Sequence, residues 1–210
     1  MDFGYSHMPL VNYSELKAEL DGARGWSHRT DLTDRIPTFI TLAESAFNRL
    51  FRFVEQETIA TLHCTGKLTP LPGDLLELRQ VEYQGQPVRP LIYGAPQYLS
   101  ALRSKGVSGC PKAYSLRGSN LELVPTPTDV EVELTYYAKI PALSDVNPTN
   151  WLLADHPGMY LNEALRQIAI YSEDQQRTAS YGAQVAALYQ EMVLANRAKR
   201  WGGPLVVRAA

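Results

Sequence analysis

The sequence predicts an α+β fold in which helices from both ends of the chain form an antiparallel bundle and a β-rich lobe is inserted between them. Apolar residues recur at helical spacing near both ends, whereas the middle of the chain has short β-type runs divided by Pro and Gly. The chain shows neither strand–helix–strand alternation nor an internal repeat. We expect bundle helices in residues 1–56 and 147–200, a sandwich- or barrel-like lobe in 57–146, and a separate C-terminal segment in 201–210. The alternative is one continuous domain whose sheet packs on the helices.

Two helices are predicted ahead of the β-rich region. Ser14 can cap a short helix that runs to about Leu20, where glycines follow. Pro37 suits the first turn of a second helix, and Glu44 is expected away from its apolar face. That apolar face has helical spacing and consists of Phe39, Leu42, Ala43, Ala46, Phe47, Leu50 and Phe51. We expect this helix to pack against other helices.

The middle of the chain predicts a series of short strands. They are expected at residues 58–65, 76–83, 88–93, 113–117, 121–124 and 130–138, with a helical turn or two at 96–104. In the last strand Val132 and Leu134 face one way and Glu131 and Glu133 the other, which indicates a half-buried strand. Paired carboxylates serve as catalytic groups in glycosidases, but at alternate strand positions they are more simply the solvent face of an antiparallel sheet.

Two helices are predicted after the β-rich region. Residues 151–153 form an apolar anchor, and Pro157 opens a helix that ends near Tyr171. The last helix extends from about residue 173 to Arg200 and carries an apolar seam. The seam alternates four- and three-residue spacing and consists of Tyr181, Val185, Leu188, Met192 and Ala195. It suits either a bundle within the chain or a contact with a neighbouring subunit.

The sequence offers no recognisable motif for catalysis or metal binding. The histidines lie in separate segments without metal-ligand spacing, and neither a phosphate-binding loop nor a dinucleotide glycine motif occurs. Residues 106–110 lack the order of a nucleophile elbow. Cys64 and Cys110 are expected to be free thiols. We therefore expect no cofactor, no metal and no enzymatic activity.

Charge and hydropathy argue against two further classes. The formal net charge is -2, so no overall basic field draws the chain to nucleic acid. No apolar run is long enough to span a membrane, and the N-terminus lacks the basic and apolar regions of a signal peptide. We expect a protein that is neither exported nor inserted into a membrane.

The C-terminal end is locally basic and then apolar. No acidic residue occurs after Glu191, and the basic residues that follow it are Arg197, Lys199, Arg200 and Arg208. One interpretation is that these cations pair with the C-terminal end of the helix dipole. The other is a docking segment that binds a partner through an aromatic anchor and an extended strand. The anchor and strand residues are Trp201, Leu205, Val206 and Val207.

Several strings of the sequence point to a known family. They are residues 13–17 (YSELK), 29–40 (RTDLTDRIPTFI), 71–74 (LPGD), 121–125 (LELVP), 134–144 (LTYYAKIPALS) and 147–153 (NPTNWLL). Together they resemble the head-tail adaptor, or connector, family of tailed bacteriophages, of the short-tailed phage type. The resemblance extends over residues 13–208, and LTYYAKIPAL is its most specific string.

The resemblance implies a virion structural protein of the head-tail neck, assembled in the host cytoplasm. Such a subunit forms a ring, usually twelvefold, below the portal protein and offers a platform to the tail tube or nozzle protein. Viral DNA passes through the lumen without specific binding, which a near-neutral chain permits. The resemblance also implies a helical bundle with a β-rich lobe.

A ring of identical subunits needs two different lateral patches on each copy. The seam of the last helix is a candidate for one of them. We assign the portal contact to the basic and apolar C-terminal residues and the tail contact to the β-rich lobe. Two rival functions remain: a small hydrolase, and a nucleic-acid-binding regulator that uses the basic C-terminus.

Overall fold

The computed structural model describes residues 10–22, 30–104, 106 and 109–200. The chain divides after Glu55 and after Lys139 into a helical unit, built from both ends of the chain, and a β unit between them. The predicted α+β class, a helical bundle with an inserted β-rich lobe, is confirmed.

The helices and strands are numbered in chain order. The helices are α1 (Tyr13–Asp21), α2 (Thr30–Thr33), α3 (Ile36–Leu50), α4 (Pro96–Ser104), α5 (Trp151–Asp155), α6 (Pro157–Tyr171) and α7 (Gln175–Arg200). The strands are β1 (Glu57–Cys64), β2 (Leu68–Pro70), β3 (Leu75–Tyr83), β4 (Arg89–Pro90), β5 (Ile92–Tyr93), β6 (Ala113–Arg117), β7 (Asn120–Val124) and β8 (Val130–Ala138). A short 3-10 helix, Val54–Gln56, precedes β1.

The first helix begins differently from the prediction. Asn12, rather than Ser14, is the N-cap, because its side-chain oxygen accepts a hydrogen bond of 3.0 Å from the backbone N–H of Glu15. The extended backbone of Asn12 is the conformation that this capping geometry requires. The apolar side of α1 is buried through Leu16 and Leu20.

The buried face of α3 is shifted from the predicted one. Ile40 and Glu44 are buried, whereas Leu42 and Leu50 are exposed. The buried stripe follows residues 36, 40, 43 and 47, which recur every three to four residues, and Leu42 lies outside it. The prediction for Glu44 was wrong because the core offers this carboxylate hydrogen-bond donors, which the spacing of apolar residues does not reveal.

The core of the helical unit is centred on α6. This helix packs against α1, α3, α5 and α7. Tyr160 of α6 is fully buried, and its ring meets that of Phe47 edge-on at 5.1 Å between centroids. Phe51 at the end of α3 stacks on Tyr189 of α7 at 5.6 Å. These contacts tie the two ends of the chain into one bundle.

The segment that returns from the β unit, residues 140–150, is named the strap here. The backbone N–H of Ile140 donates to the side chain of Asn48 at 2.9 Å, and that of Leu143 donates to Glu44 at 2.7 Å. The first residues of the strap therefore belong to the helical unit, and the expected boundary at residue 147 falls too late. Hydrogen bonding of the backbone to α3 side chains sets the real boundary.

The β unit is a sandwich of two four-stranded sheets. Their strand orders are β1-β8-β3-β4 and β2-β7-β6-β5. Val132 and Leu134 of one sheet share a core with Leu121 and Leu123 of the other. The turn between β6 and β7 contains Gly118, whose φ of +59° favours glycine.

Two details of the β unit differ from the prediction. The strand expected at 88–93 is two short pieces, β4 and β5, because its residues pair with different sheets: Arg89 and Pro90 with β3, and Ile92 and Tyr93 with β6. The helix α4 lies against the second sheet through Leu99, which is buried with Ala113 and Val124. The fully buried Glu122 forms ion pairs with Arg103 of α4 and with Arg117.

Candidate assembly surfaces

The predicted seam of α7 packs within its own chain. Met192 is buried, and Tyr181, Val185 and Leu188 are half-buried against the core of the helical unit. Ala195 is exposed. The bundle interpretation of the seam therefore accounts for most of its apolar character.

An open apolar groove lies beside this seam. Its volume is about 320 Å³, and α3, α6 and α7 line it. The lining includes Phe47, Leu50, Phe51, Val185, Ala186 and Tyr189. Leu50 is exposed because it faces this groove in the last turn of α3 instead of a neighbouring helix. A second groove, of about 330 Å³, lies on the other side of α7 and includes Leu188, Met192 and Ala195.

A buried ion pair forms one end of the first groove. Glu163 is 1% exposed and accepts two hydrogen bonds from Arg166, of 2.7 and 2.6 Å, and one of 2.6 Å from Gln167. The hydrogen bonds that Arg166 donates to Glu163 raise the pKa of its guanidinium, although partial burial opposes this rise. This end of the groove is rigid and charged, because a carboxylate with three donors is held in one position.

The basic end of α7 is tied to the end of α3 and the residues after it. The side chain of Asn196 accepts a hydrogen bond of 3.0 Å from the backbone N–H of Val54, and Lys199 pairs with Glu55. Arg200 donates to the backbone carbonyl of Arg52 at 3.0 Å. These three interactions are named the α7 anchor here.

In the α7 anchor, Glu55 and Lys199 each stabilise the charged form of the other. Partial burial is the largest single influence on the pKa of Glu55 and would raise it. The hydrogen bond and the positive charge of Lys199, together with a backbone hydrogen bond, outweigh burial in sum and lower that pKa below its ordinary value. The hydrogen bond with Glu55 raises the pKa of Lys199. Both groups therefore remain charged over the neutral pH range.

The eight residues of the predicted portal-docking set divide into two groups. Arg197 is exposed, whereas Lys199 and Arg200 take part in the α7 anchor. The other five, Trp201, Leu205, Val206, Val207 and Arg208, lie outside the described residues. Two of the cations thus have partners within the chain, among the residues that follow α3.

A buried polar network joins α3, α6 and the strap. Glu44 is 5% exposed and accepts hydrogen bonds from the backbone N–H of Leu143 at 2.7 Å and from the hydroxyl of Tyr160 at 3.2 Å. Asn150 donates to Tyr160 and to the carbonyl of Pro141, each at 2.7 Å, and caps α5 through Leu153. The network satisfies the buried backbone of the strap, so it fixes this segment on the bundle.

Burial is the largest cause of the pKa shifts of Glu44 and Tyr160 in this network. It raises the pKa of Glu44, and the hydrogen bonds from Leu143 and Tyr160 offset this rise only in part. Burial, followed by the charge of Glu44, raises the pKa of Tyr160 strongly, so its hydroxyl remains a donor. Sequence reasoning missed Glu44, although its spacing of four residues from Ile40 and three from Phe47 was a usable signal.

The residues considered for catalysis do not converge. His63 pairs with Asp129 at 3.0 Å on exposed side chains, and Glu131 lies opposite His63 on the outer face of its sheet. Within the described residues, no three His, Cys, Asp or Glu side chains cluster in a way that could hold a metal ion. Cys64 is buried and Cys110 is exposed, and both are free thiols. None of the described helices is both long and apolar enough to cross a membrane.

Comparison with known proteins gives one family. No curated protein sequence matches the chain. The family model described as SU10 adaptor protein matches residues 11–208, which covers both the helical unit and the β unit. The match includes every string on which the resemblance to phage head-tail adaptors rests, so that resemblance is confirmed. The chain therefore belongs to the SU10 adaptor protein family of bacteriophages.

Proposed function

We propose that the chain is the subunit of a ring that joins the DNA-filled capsid to the tail. In this proposal the ring binds below the portal protein, contains about twelve copies, and gives a platform to the tail tube or nozzle protein. The family match over residues 11–208 carries the proposal, because adaptor proteins connect other components of the virion. A structural role of this kind requires no catalytic residue.

The portal contact is assigned to the C-terminal segment after α7. The α7 anchor supports this assignment because it gives the segment a fixed starting point at Arg200. The segment then supplies Trp201 and the apolar run Leu205, Val206 and Val207. In the proposed complex this short apolar run pairs, as an extended segment, with the edge of a partner's sheet.

We assign the tail contact to the β unit. We also propose that the lumen of the ring lets DNA pass without binding it. The formal net charge of -2 supports easy DNA passage, because strong phosphate binding requires a surplus of basic residues. The same charge, together with the engagement of Lys199 and Arg200 by Glu55 and Arg52, weighs against the rival function of a nucleic-acid-binding regulator.

The portal assignment is tested by truncation of the purified chain. A chain that ends at Arg200 is expected to remain folded, as measured by circular dichroism, and to lose co-sedimentation with portal rings. Removal of Ala209 and Ala210 alone is the matched control and should leave binding intact. Full binding by the chain that ends at Arg200 would contradict the assignment.

A further inference from the structure

The strand β1 leaves one side of its sheet open along its whole length. It is the first strand in the order β1-β8-β3-β4, and it pairs with β8 over all of Glu57–Cys64 without a register shift. Among the described residues, no strand pairs with its other side. In an antiparallel pair the N–H and C=O groups of alternate residues point away from the partner strand. The open side of β1 therefore presents a row of backbone donors and acceptors that another strand can bind.

The other edges of the two sheets are protected, whereas the edge at β1 is not. The strand β4 has two residues, one of which is Pro90, and β5 also has two. The strand β2 has three residues and ends in Pro70. Short strands and prolines are common means by which proteins keep sheet edges from pairing. The sequence of β1, ETIATLHC, is longer and contains neither proline nor lysine, so its edge is suited to pairing.

The side chains along β1 are apolar on both faces of the sheet. Ile59 is 63% exposed on the outer face. Ala60 and Leu62 lie on the other face, where they are half-buried at the margin of the core of the β unit. Successive residues of a strand alternate between the two faces. A partner strand of consecutive aliphatic residues would therefore cover apolar surface on both sides of this edge.

The C-terminal segment, residues 201–210, supplies such a run. Leu205, Val206 and Val207 are three consecutive aliphatic residues, and no other stretch outside the described residues contains such a run. Valine is among the residues that favour strands. Pro204 precedes the run, at the first position of a strand, where proline is tolerated.

The α7 anchor places the start of this segment near the start of β1. Arg200 donates to the carbonyl of Arg52, which precedes Glu57, the first residue of β1, by five residues. Leu205 follows Arg200 by five residues, and an extended chain of that length spans roughly 17 Å. The run is therefore within reach of the first residues of β1. Because the segment approaches β1 from the beginning of the strand, the two run parallel, as β5 and β6 do.

We propose that, before the chain binds other virion proteins, residues 205–208 add to the open side of β1 as a further strand of its sheet. The run hydrogen-bonds to the backbone of β1, and its side chains cover Ile59 on one face and Ala60 on the other. The pairing closes this edge to other chains and makes the run unavailable to a partner's sheet. Binding of the C-terminal segment to the portal thus exchanges one sheet edge for another. The pairing itself belongs to the free chain and does not depend on the portal contact.

Disulfide trapping in the free, full-length chain tests this pairing. The exposed Cys110 is first replaced by Ser, which leaves only the buried Cys64. Ile59→Cys is then combined in turn with Leu205→Cys, Val206→Cys, Val207→Cys and Arg208→Cys. Because neighbouring residues of a strand point to opposite faces, we expect the yield of intrachain disulfide to alternate along the run by about tenfold or more. Equal yields at all four positions, or no disulfide at any of them, would overturn the pairing.

The matched control moves the first cysteine to the other sheet. Leu116→Cys, at an exposed apolar position of β6, replaces Ile59→Cys and should give no disulfide with the same four positions. A yield equal to that of Ile59→Cys would mean that the segment visits the surface without pairing, against the proposal. Disulfide-linked dimers in place of the intrachain product would assign the open edge to a second copy and would equally overturn it.

Hydrogen exchange gives a readout that needs no substitution. In the full-length chain the N–H groups of residues 58–62 that point away from β8 are expected to be protected. Truncation after Arg200 should raise their exchange rates by about tenfold or more, while the N–H groups bonded to β8 keep theirs. A chain that lacks only Ala209 and Ala210 is the control and should exchange like the full-length chain. Identical exchange of β1 in the full-length and truncated chains would count against the pairing.

The two proposals for the C-terminal segment fail separately. Portal binding by a chain whose β1 edge is unprotected removes only the pairing with β1. A protected edge in a chain that does not bind the portal removes only the portal contact.

Discussion

Glu44 has an environment that its residue type does not predict. A carboxylate placed in a helical core is costly unless it is hydrogen-bonded, and here Leu143 and Tyr160 supply the donors. The pKa of Glu44 is held above its ordinary value of 4.5. The folded chain therefore binds the proton of the Glu44 carboxyl group more tightly than the unfolded chain does. The contribution of Glu44 to the free energy of unfolding falls as the pH rises from 4.5 through the folded-state pKa.

Substitution of Glu44 separates its charge from its hydrogen bonds. Glu44→Gln keeps an acceptor for Leu143 and is expected to remove the decline in unfolding free energy above pH 4.5. Glu44→Ala leaves the N–H of Leu143 and the hydroxyl of Tyr160 without an acceptor and should cost about 1–3 kcal/mol. Urea unfolding at several pH values measures both effects. A pH profile of Glu44→Gln identical to that of the original chain would contradict this account.

At the scale of the single element, α7 combines two tasks. Its middle turns pack on α6 and border the apolar groove, and its last turn holds the residues that follow α3. Lys199 is exposed in its ion pair with the half-buried Glu55, so we expect this pair to contribute little to global stability. The hydrogen bond from Val54 to Asn196 has a local effect that can be measured separately.

Asn196→Ala is expected to release the backbone N–H of Val54. Amide hydrogen exchange at Val54 should become faster, while global stability changes by less than about 1 kcal/mol. Gln190→Ala, an exposed position on the same helix, is the control and should leave this exchange rate unchanged. Slow exchange at Val54 in Asn196→Ala would show that the α7 anchor does not depend on this bond.

Sequence patterns predicted well the elements whose bounds are set by their own residues. The bounds of α6 were predicted because Pro157 fixes its first turn, and β8 was predicted because its apolar residues alternate regularly. The split of residues 88–93 between two sheets depends on distant strands, and no local pattern encodes it. The burial of Glu44 depends in the same way on the strap, which lies about a hundred residues away in the chain.

The candidate surfaces were predictable to a smaller extent. The spacing of the α7 seam indicated an apolar stripe, but only the structure shows that the stripe packs within the chain and borders a groove. The predicted docking residues after Arg200 stay a prediction.

At the scale of the whole molecule, the described residues form two separate large cores. One core consists of helical-unit residues such as Phe47 and Tyr160, and the other consists of β-unit residues such as Leu121 and Leu134. The chain crosses between the units twice, after Glu55 and after Lys139. Because the two cores are separate, we expect each unit to respond to changes in its own core.

Core truncations in the two units test this independence. Leu134→Ala should destabilise the β unit by about 2–5 kcal/mol, and Leu153→Ala should do the same to the helical unit. Hydrogen exchange followed by mass spectrometry is expected to show lost protection only in the unit that carries the change. Loss of protection throughout the chain from either substitution would mean that the two units unfold together.

The position of the α7 anchor determines how the chain responds to a pull. Tension applied beyond Arg200 passes first into the bonds with Arg52, Val54 and Glu55, and these residues directly precede the strand that enters the β unit. These bonds are few and lie near the surface, so we expect them to break under tension before the aromatic core does. The last turn of α7 would then separate from the residues that follow α3 while the rest of the bundle remains folded.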